Sequence, residues 1–119
     1  MNDSLGLVEV VGLVAAVEAA DAMSKAARVH VRSVANADAG LLSVICEGDL
    51  AAVNAAVDAG KAAASRLGEC VGTNVIPRPG DGLGEMIADK IGSIFDEPKK
   101  EAPKAEEKPA KASKAAKKK

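Results

Sequence analysis

Few side chains in this sequence have the type and spacing for acid–base, nucleophilic or metal chemistry. His30 is the single histidine, and imidazole is the side chain that titrates near neutrality, but no Ser, Cys or carboxylate stands at a spacing that would complete a relay with it. A lone histidine in an alternating segment reads as a surface or packing residue. The glycines of Gly80-Asp-Gly-Leu-Gly84 suggest a phosphate loop. However, the Lys-Ser/Thr pair of a P-loop is absent, and Glu85 stands where a dinucleotide fingerprint needs Gly. Cys46 and Cys70 lie far apart rather than as a C-x-x-C pair, which fits reduced core cysteines better than a disulfide or a metal site. Glu18, Asp21, Asp49 and Asp58 fall on helix starts or outer helix faces, where carboxylates need no further role. The expectation is a protein without cofactor, metal or catalytic centre.

The remaining polar residue that asks for a reason is Lys25. It follows Asp21 at i, i+4, but an exposed helical ion pair of that kind contributes little by itself. The segment that carries it is repeated: Ala15 to Ala27 reads AAVEAADAMSKAA and Ala51 to Ala63 reads AAVNAAVDAGKAA, with the leading valine, the lysine and most alanines in register. At about 100° per residue, Leu13, Ala16, Val17, Ala20, Met23 and Ala27 share one side of a first helix, and that side is expected to be core. The flank of Ala15, Ala19, Ala22 and Ala26 is small enough for a second neighbour to approach, although Ala is also simply the best helix former. In the second helix, opened by Asp49 as N-cap and stopped by Gly68, the expected inner line is Leu50, Val53, Val57, Gly60, Ala64 and Leu67.

Strands fit around these helices. Leu5 to Val11 is a short valine-rich run ended by Gly12; Val29 to Val34 alternates with one wetter face; Leu41 to Glu47 is almost continuously apolar, as in a central strand. Between the second and third of these, ANADAG from Ala35 to Gly40 reads as a hairpin loop. Val71 to Ile76 is the fourth strand, ended by Pro77-Arg78-Pro79 because proline cannot donate to a sheet ladder. The order strand-helix-strand-strand-helix-strand is an α+β, ferredoxin-like split βαββαβ topology. Leu83, Met86, Ile87, Ile91, Ile94 and Phe95 then recur at helical spacing, giving a short amphipathic C-terminal helix over about 83–95 that packs on its own domain.

Composition divides the chain in two. Residues 1–97 form one domain carrying seven Lys and Arg against fourteen Asp and Glu, whereas 98–119 is a Lys/Ala/Pro-rich tail with nine Lys and three Glu, expected to be disordered. With 48% hydrophobic residues but only 1% aromatic, the core must be built from Val, Leu, Ile and Ala, and so small a domain is expected to oligomerise. The N-terminus lacks the basic and long apolar regions of a signal peptide, and no run is long enough to span a membrane, so the expected location is cytoplasmic.

The motifs GLVEVVGLVAAVEAADAMSKAA, VICEGDLAAVNAAVDAGKAAA and VIPRP, in that order and across nearly all of Leu5 to Pro79, resemble the bacterial microcompartment hexameric shell protein family. The resemblance implies a non-enzymatic BMC domain that forms flat cyclic homohexamers. These tile edge to edge into a shell around metabolic enzymes, together with other shell proteins, and pass small polar metabolites through a central pore. By position it implies that Lys25 and Arg78 lie at the hexamer–hexamer edge. The loop Asp38-Ala39-Gly40 would surround the pore, where better-known relatives carry Gly-Ser-Gly. Two departures follow: Arg28 stands three residues past the edge lysine, where the family often has a neutral polar residue, and Asp38 and Ala39 replace Gly and Ser. The pore ring is therefore expected to be more acidic and its loop stiffer, since a position needing positive φ tolerates Asp poorly. Two other function classes share these residues. One is an oligomeric ligand-binding regulator on the same topology; the other is binding of nucleic acid or an acidic partner through the tail, for which the lack of aromatic residues removes base stacking.

Overall fold

The computed structural model describes residues 3–91 and residue 94; the tail 98–119, like Phe95, lies outside the described residues. Four eight-residue strands, β1 (Ser4–Val11), β2 (Val29–Asn36), β3 (Leu41–Gly48) and β4 (Glu69–Ile76), alternate with α1 (Leu13–Ala26) and α2 (Leu50–Leu67) as the hydropathy pattern requires. All pairings are antiparallel and the strand order is β2-β3-β1-β4, so the two most apolar segments occupy the centre. No helix among the described residues is long and apolar enough to cross a membrane.

The pleat decides which side chains meet the helices. Val8 and Val10 of β1 and Leu42, Val44 and Cys46 of β3 point to the face covered by α1 and α2, where they pack with Ala16, Met23, Val53 and Val57. Two glycines let the layers approach. A Cβ on Gly6 would lie 2.6 Å from Val57 Cγ2, 2.8 Å from Val53 Cγ1 and 3.0 Å from Cys46 Sγ, so α2 rests directly on the β1 backbone. A Cβ on Gly60 would lie 2.6 Å from Met23 Cγ, so α2 is notched where α1 inserts its one large buried side chain. Full burial of Met23 is worth about 1.5–3 kcal/mol, in a core with no aromatic side chain among the described residues.

The buried side of α1 differs from the expected one. Ala15, Ala16, Ala19 and Met23 are buried, while Leu13, Val14 and Val17 are exposed. Ala16 and Met23 of the expected line are buried, joined by Ala15 and Ala19 of the small-residue flank, whereas Leu13 and Val17 of that line face out. The duplicated segment is also out of step with the structural repeat. The sequence duplicate aligns at a spacing of 36 residues, Ala15 with Ala51, whereas the elements repeat at 37, Ser4 with Leu41 and Leu13 with Leu50. One residue of slip turns a helix by about 100°, so Val53 is buried although Val17, its partner in the duplicate, is nearly half exposed.

Smaller corrections have local causes. Leu50 and Leu67, expected on the inner line of α2, are exposed because they lie at its two ends, beyond the sheet. Asp49 occupies the N-cap with an extended backbone but makes no side-chain capping bond. A bulge between Val31 and Ser33 shifts the register of β2; beyond it the pairing is regular, and Ser33, Val34 and Ala35 are buried in succession because both faces of the strand are covered there.

Among the described residues the C-terminal segment is helical from Leu83 to Ile91, and Phe95 at the end of the expected stripe lies outside them. One α-helical turn, α3 (Leu83–Met86), passes into a π-helical turn, Ile87–Ile91. Ile87 is buried with Leu5 and Ile45 on the sheet face opposite α1 and α2, with Leu7, Ile76 and Leu83 around it. The segment does pack on its own domain. Of the remaining stripe, Met86, Ile91 and Ile94 are partly exposed, and Ile94 N–H donates to the Val34 carbonyl at 2.8 Å.

Candidate functional site

The topology sorts the candidate residues to the two ends of the sheet. β1 and β2 run from one end to the other and β3 and β4 run back, so the β2–β3 loop shares its end with the β1–α1 and α2–β4 turns. Residues after α1 and after β4 lie at the opposite end. Asp38, Ala39 and Gly40 therefore fall at one end, and Lys25, Arg28 and Arg78 at the other, separated by a strand of eight residues or about 26 Å.

The loop is held in a tight left-handed path. Asp38, Ala39 and Gly40 have φ of 71°, 53° and 81°. Leu41 N–H donates to the Asp38 carbonyl and Ala37 N–H to the Leu41 carbonyl, both at 2.9 Å, and Asn36 Oδ1 accepts the Asp38 N–H at 2.8 Å. A fourth bond, Gly12 N–H to the Gly40 carbonyl at 2.9 Å, ties the loop to the start of α1. The expectation that Asp38 would resist positive φ is thus corrected: Asp is among the few non-glycine residues that enter this region readily. Ala39 has no such excuse, and its backbone stores about 1–2 kcal/mol that the hydrogen bonds offset. All three residues are exposed, and they border a shallow cavity of about 350 Å³ that also touches Leu13, Leu42 and Ile94.

At the other end, Lys25 Nζ lies 2.7 Å from Asp21 Oδ2, with 74% of the lysine side chain exposed. The hydrogen bond and charge of Asp21 raise the lysine's pKa, so its charge is secure, but the aliphatic stem is uncovered. Arg28 and Arg78 are also exposed, and neither makes an ion pair among the described residues. Arg78 is presented by a fixed turn: Ser4 Oγ donates to the Pro77 carbonyl at 2.8 Å, and Pro79 on its other side is buried.

The residues considered for chemistry are not brought together. His30 is exposed on an edge strand, Cys46 is buried with its thiol pKa pushed up by burial, and Cys70 is half-buried and free. Among the described residues no group of three His, Cys, Asp or Glu side chains could hold a metal ion.

One feature escaped the periodicity. Val11, Leu13, Val14, Leu67 and Val71 are exposed at the same end as the loop, and a Cβ on Gly68 would lie 3.1 Å from the Val11 carbonyl oxygen and 3.2 Å from Ala15 Cβ, which shows how closely the contributing elements meet. Val14 is 71% exposed, in a chain that has few large apolar side chains to spare. That scarcity is the signal a sequence reader could have used: large residues on both sides of an alanine-rich helix imply two buried faces, one of them not covered by the domain itself.

A model of the BMC domain family matches residues 4–79. The chain is 51% identical over 85 residues to the bacterial microcompartment shell protein EutM of Salmonella typhimurium, covering 71% of this chain and 88% of that one. It is 52% identical over 78 residues to the bacterial microcompartment shell protein PduA of the same species, covering 66% and 83%. Among solved structures, a microcompartments protein from Desulfitobacterium hafniense DCB superposes with a TM-score of 0.62 at 36% identity, over 68% of this chain and 44% of that chain's length. The chain therefore belongs to the BMC-domain family of bacterial microcompartment shell proteins.

Proposed function

We propose that six copies of this chain close into a flat ring with the Asp38-Ala39-Gly40 loops around a central pore, and that rings tile through Lys25, Arg28 and Arg78 into the facets of a shell around metabolic enzymes. The observation that carries this reading is the separation of the two residue groups to opposite ends of one rigid sheet, as a radial tile requires of its centre and its rim. The exposed apolar residues beside the loop supply the contact between neighbours within a ring, where burial is worth about 25 cal/mol per Å².

The rim chemistry is suited to reversible assembly. Lysines from facing tiles repel unless their stems lie flat along one another and the ammonium groups reach outward to carbonyls or water, and Lys25 has an exposed stem to do so. Arg78 adds a planar fork of donors for carbonyls across the seam. Contacts that are weak singly accumulate over many edges. At the pore, carboxylates contributed by Asp38 disfavour anions and favour cations or neutral polar solutes.

Negative-stain electron microscopy of the purified protein tests this reading. Sheets, tubes or closed shells are expected from the natural chain, and rings without sheets from Lys25→Ala, which touches no core residue. A Lys25→Ala protein that tiles as well as the natural chain would return Lys25 to the role of a solvated lysine. A saturable small-molecule site in a protein that never forms sheets would favour the regulator instead.

A further inference from the structure

The sheet face opposite α1 and α2 carries a carboxylate without a countercharge. Leu5, Leu7 and Glu9 of β1 alternate onto this face, and Ile87 covers its Leu5 end together with Ile45. Further along, Glu9 stands level with Ser43 on β3 and Gly72 on β4, so one flanking side chain is small and the other is absent. The result is a recess of about 260 Å³ lined by Leu7, Glu9, Ser43, Gly72, Thr73 and Asn74. Glu9 is half-buried, and its Oε2 accepts the Ser43 hydroxyl at 2.9 Å. Glu47, on the same face, is paired with Arg32 at 2.8 Å, whereas Glu9 makes no ion pair among the described residues.

We propose that this recess binds a small primary alkylammonium ion. An ammonium group has three donors and no acceptor, and the recess offers three acceptors: the Glu9 carboxylate, the Ser43 hydroxyl oxygen, which keeps lone pairs while donating to Glu9, and the Asn74 amide oxygen. Leu7 gives the alkyl part an apolar wall. A hydrogen bond to an ionised carboxylate is about twice as strong as a neutral one, and partial burial reduces its screening. The volume lies below the range of about 300–1,000 Å³ for drug-sized sites, which limits the occupant to a few heavy atoms beyond the nitrogen. The surplus of acidic side chains in residues 1–97 raises the local concentration of cations, and anions are turned away by the same field. The recess is built from side chains of one copy and does not depend on the ring.

The test is saturation-transfer difference NMR on the full chain, titrated with n-butylammonium, n-butanol and butyrate in turn. Butylammonium is expected to saturate with a Kd of about millimolar order, and butanol and butyrate to bind at least about tenfold more weakly. Glu9→Gln keeps an acceptor for Ser43 but removes the charge, and should lower the butylammonium affinity at least about tenfold. Gly72→Val leaves the carboxylate in place and fills the open flank, where a Cβ meets nothing within 4 Å; it should abolish binding while the protein stays folded. Butanol binding as tightly as butylammonium, or butylammonium binding unchanged in Glu9→Gln or in Gly72→Val, would overturn the site. A natural chain that binds no butylammonium, with rings that loosen in Glu9→Gln, would give Glu9 to a cation of a neighbouring copy and overturn it equally. Because the readout needs no sheets, it separates the two proposals: sheets without butylammonium binding sink this site alone, and binding without sheets sinks the tiling alone.

Discussion

Gly6→Ala is the sharpest perturbation of the frame that holds loop and rim apart. The new methyl would meet Val57 Cγ2 at 2.6 Å, Val53 Cγ1 at 2.8 Å and Cys46 Sγ at 3.0 Å, against an ordinary contact of about 3.5–4.0 Å. Both valines are β-branched, held by the helix to essentially one rotamer, and fully or almost fully buried, so neither can swing aside. The helix must lift from β1 or the strand must bend, and overpacking of this kind costs about 1–3 kcal/mol. Replacing glycine in a strand returns about 0.5–1 kcal/mol of backbone entropy. The expected net loss is therefore about 1–2 kcal/mol, a fall of roughly 5–15 °C in Tm for a domain this size. Thermal and urea denaturation should be compared at one protein concentration, since subunit association makes Tm concentration-dependent. Gly72→Ala is the control, because a Cβ there meets nothing within 4 Å. In the Gly6→Ala/Val57→Ala pair, the freed volume should recover about 1 kcal/mol or more relative to additivity. A Gly6→Ala protein as stable as Gly72→Ala would show that α2 does not rest on β1 as described.

Three further outcomes are expected. Ala39→Gly relieves about 1–2 kcal/mol of left-handed strain and adds about 0.5–1 kcal/mol of unfolded-chain entropy; urea midpoints should show no loss and a gain of up to about 1 kcal/mol, and a clear loss would refute the strain. Burial favours the neutral thiol of Cys46, so its stabilising contribution is complete below the unfolded thiol pKa of about 8.5 and is lost as pH rises above it; alkylation at mildly alkaline pH should label Cys70 first, and Cys46→Ala should flatten the alkaline fall in stability. On the pore reading, Asp38→Asn should raise anion permeation through assembled sheets or shells, and unchanged selectivity would mean that Asp38 faces bulk solvent.

Much of this was legible in the chain itself. The strand runs, Gly12, the ANADAG loop, Asp49, Gly68 and the Pro77-Arg78-Pro79 stop mark six elements whose order leaves one common topology, and the structure moves their ends by only one to two residues. The candidate residues were named by position in shared motifs, and their grouping into two ends follows from strand direction alone. What could not be read was which side of α1 is buried. In a helix of AAVEAADAMSKAA, alanines occur on every side and tell nothing about inside and outside, so the few large residues dominate the periodic signal. Leu13 and Val17 pointed to one face, and the domain buries the alanines beside them instead.

Sequence alone determined the element order, the turns, the split between acidic body and basic tail, and the motif positions of Lys25, Arg78 and Asp38, because these depend on local propensity and on strings of residues. Tertiary structure alone decided the rotation of α1, the notch of Gly60 for Met23, the bulge in β2, and the return of Ile94 to the loop end. Those depend on how two layers of small side chains settle against each other. The 36-residue duplicate and the 37-residue structural repeat differ by one residue, so the strings that match in sequence do not occupy matching faces of the two helices: Val53 is buried and Val17 is exposed.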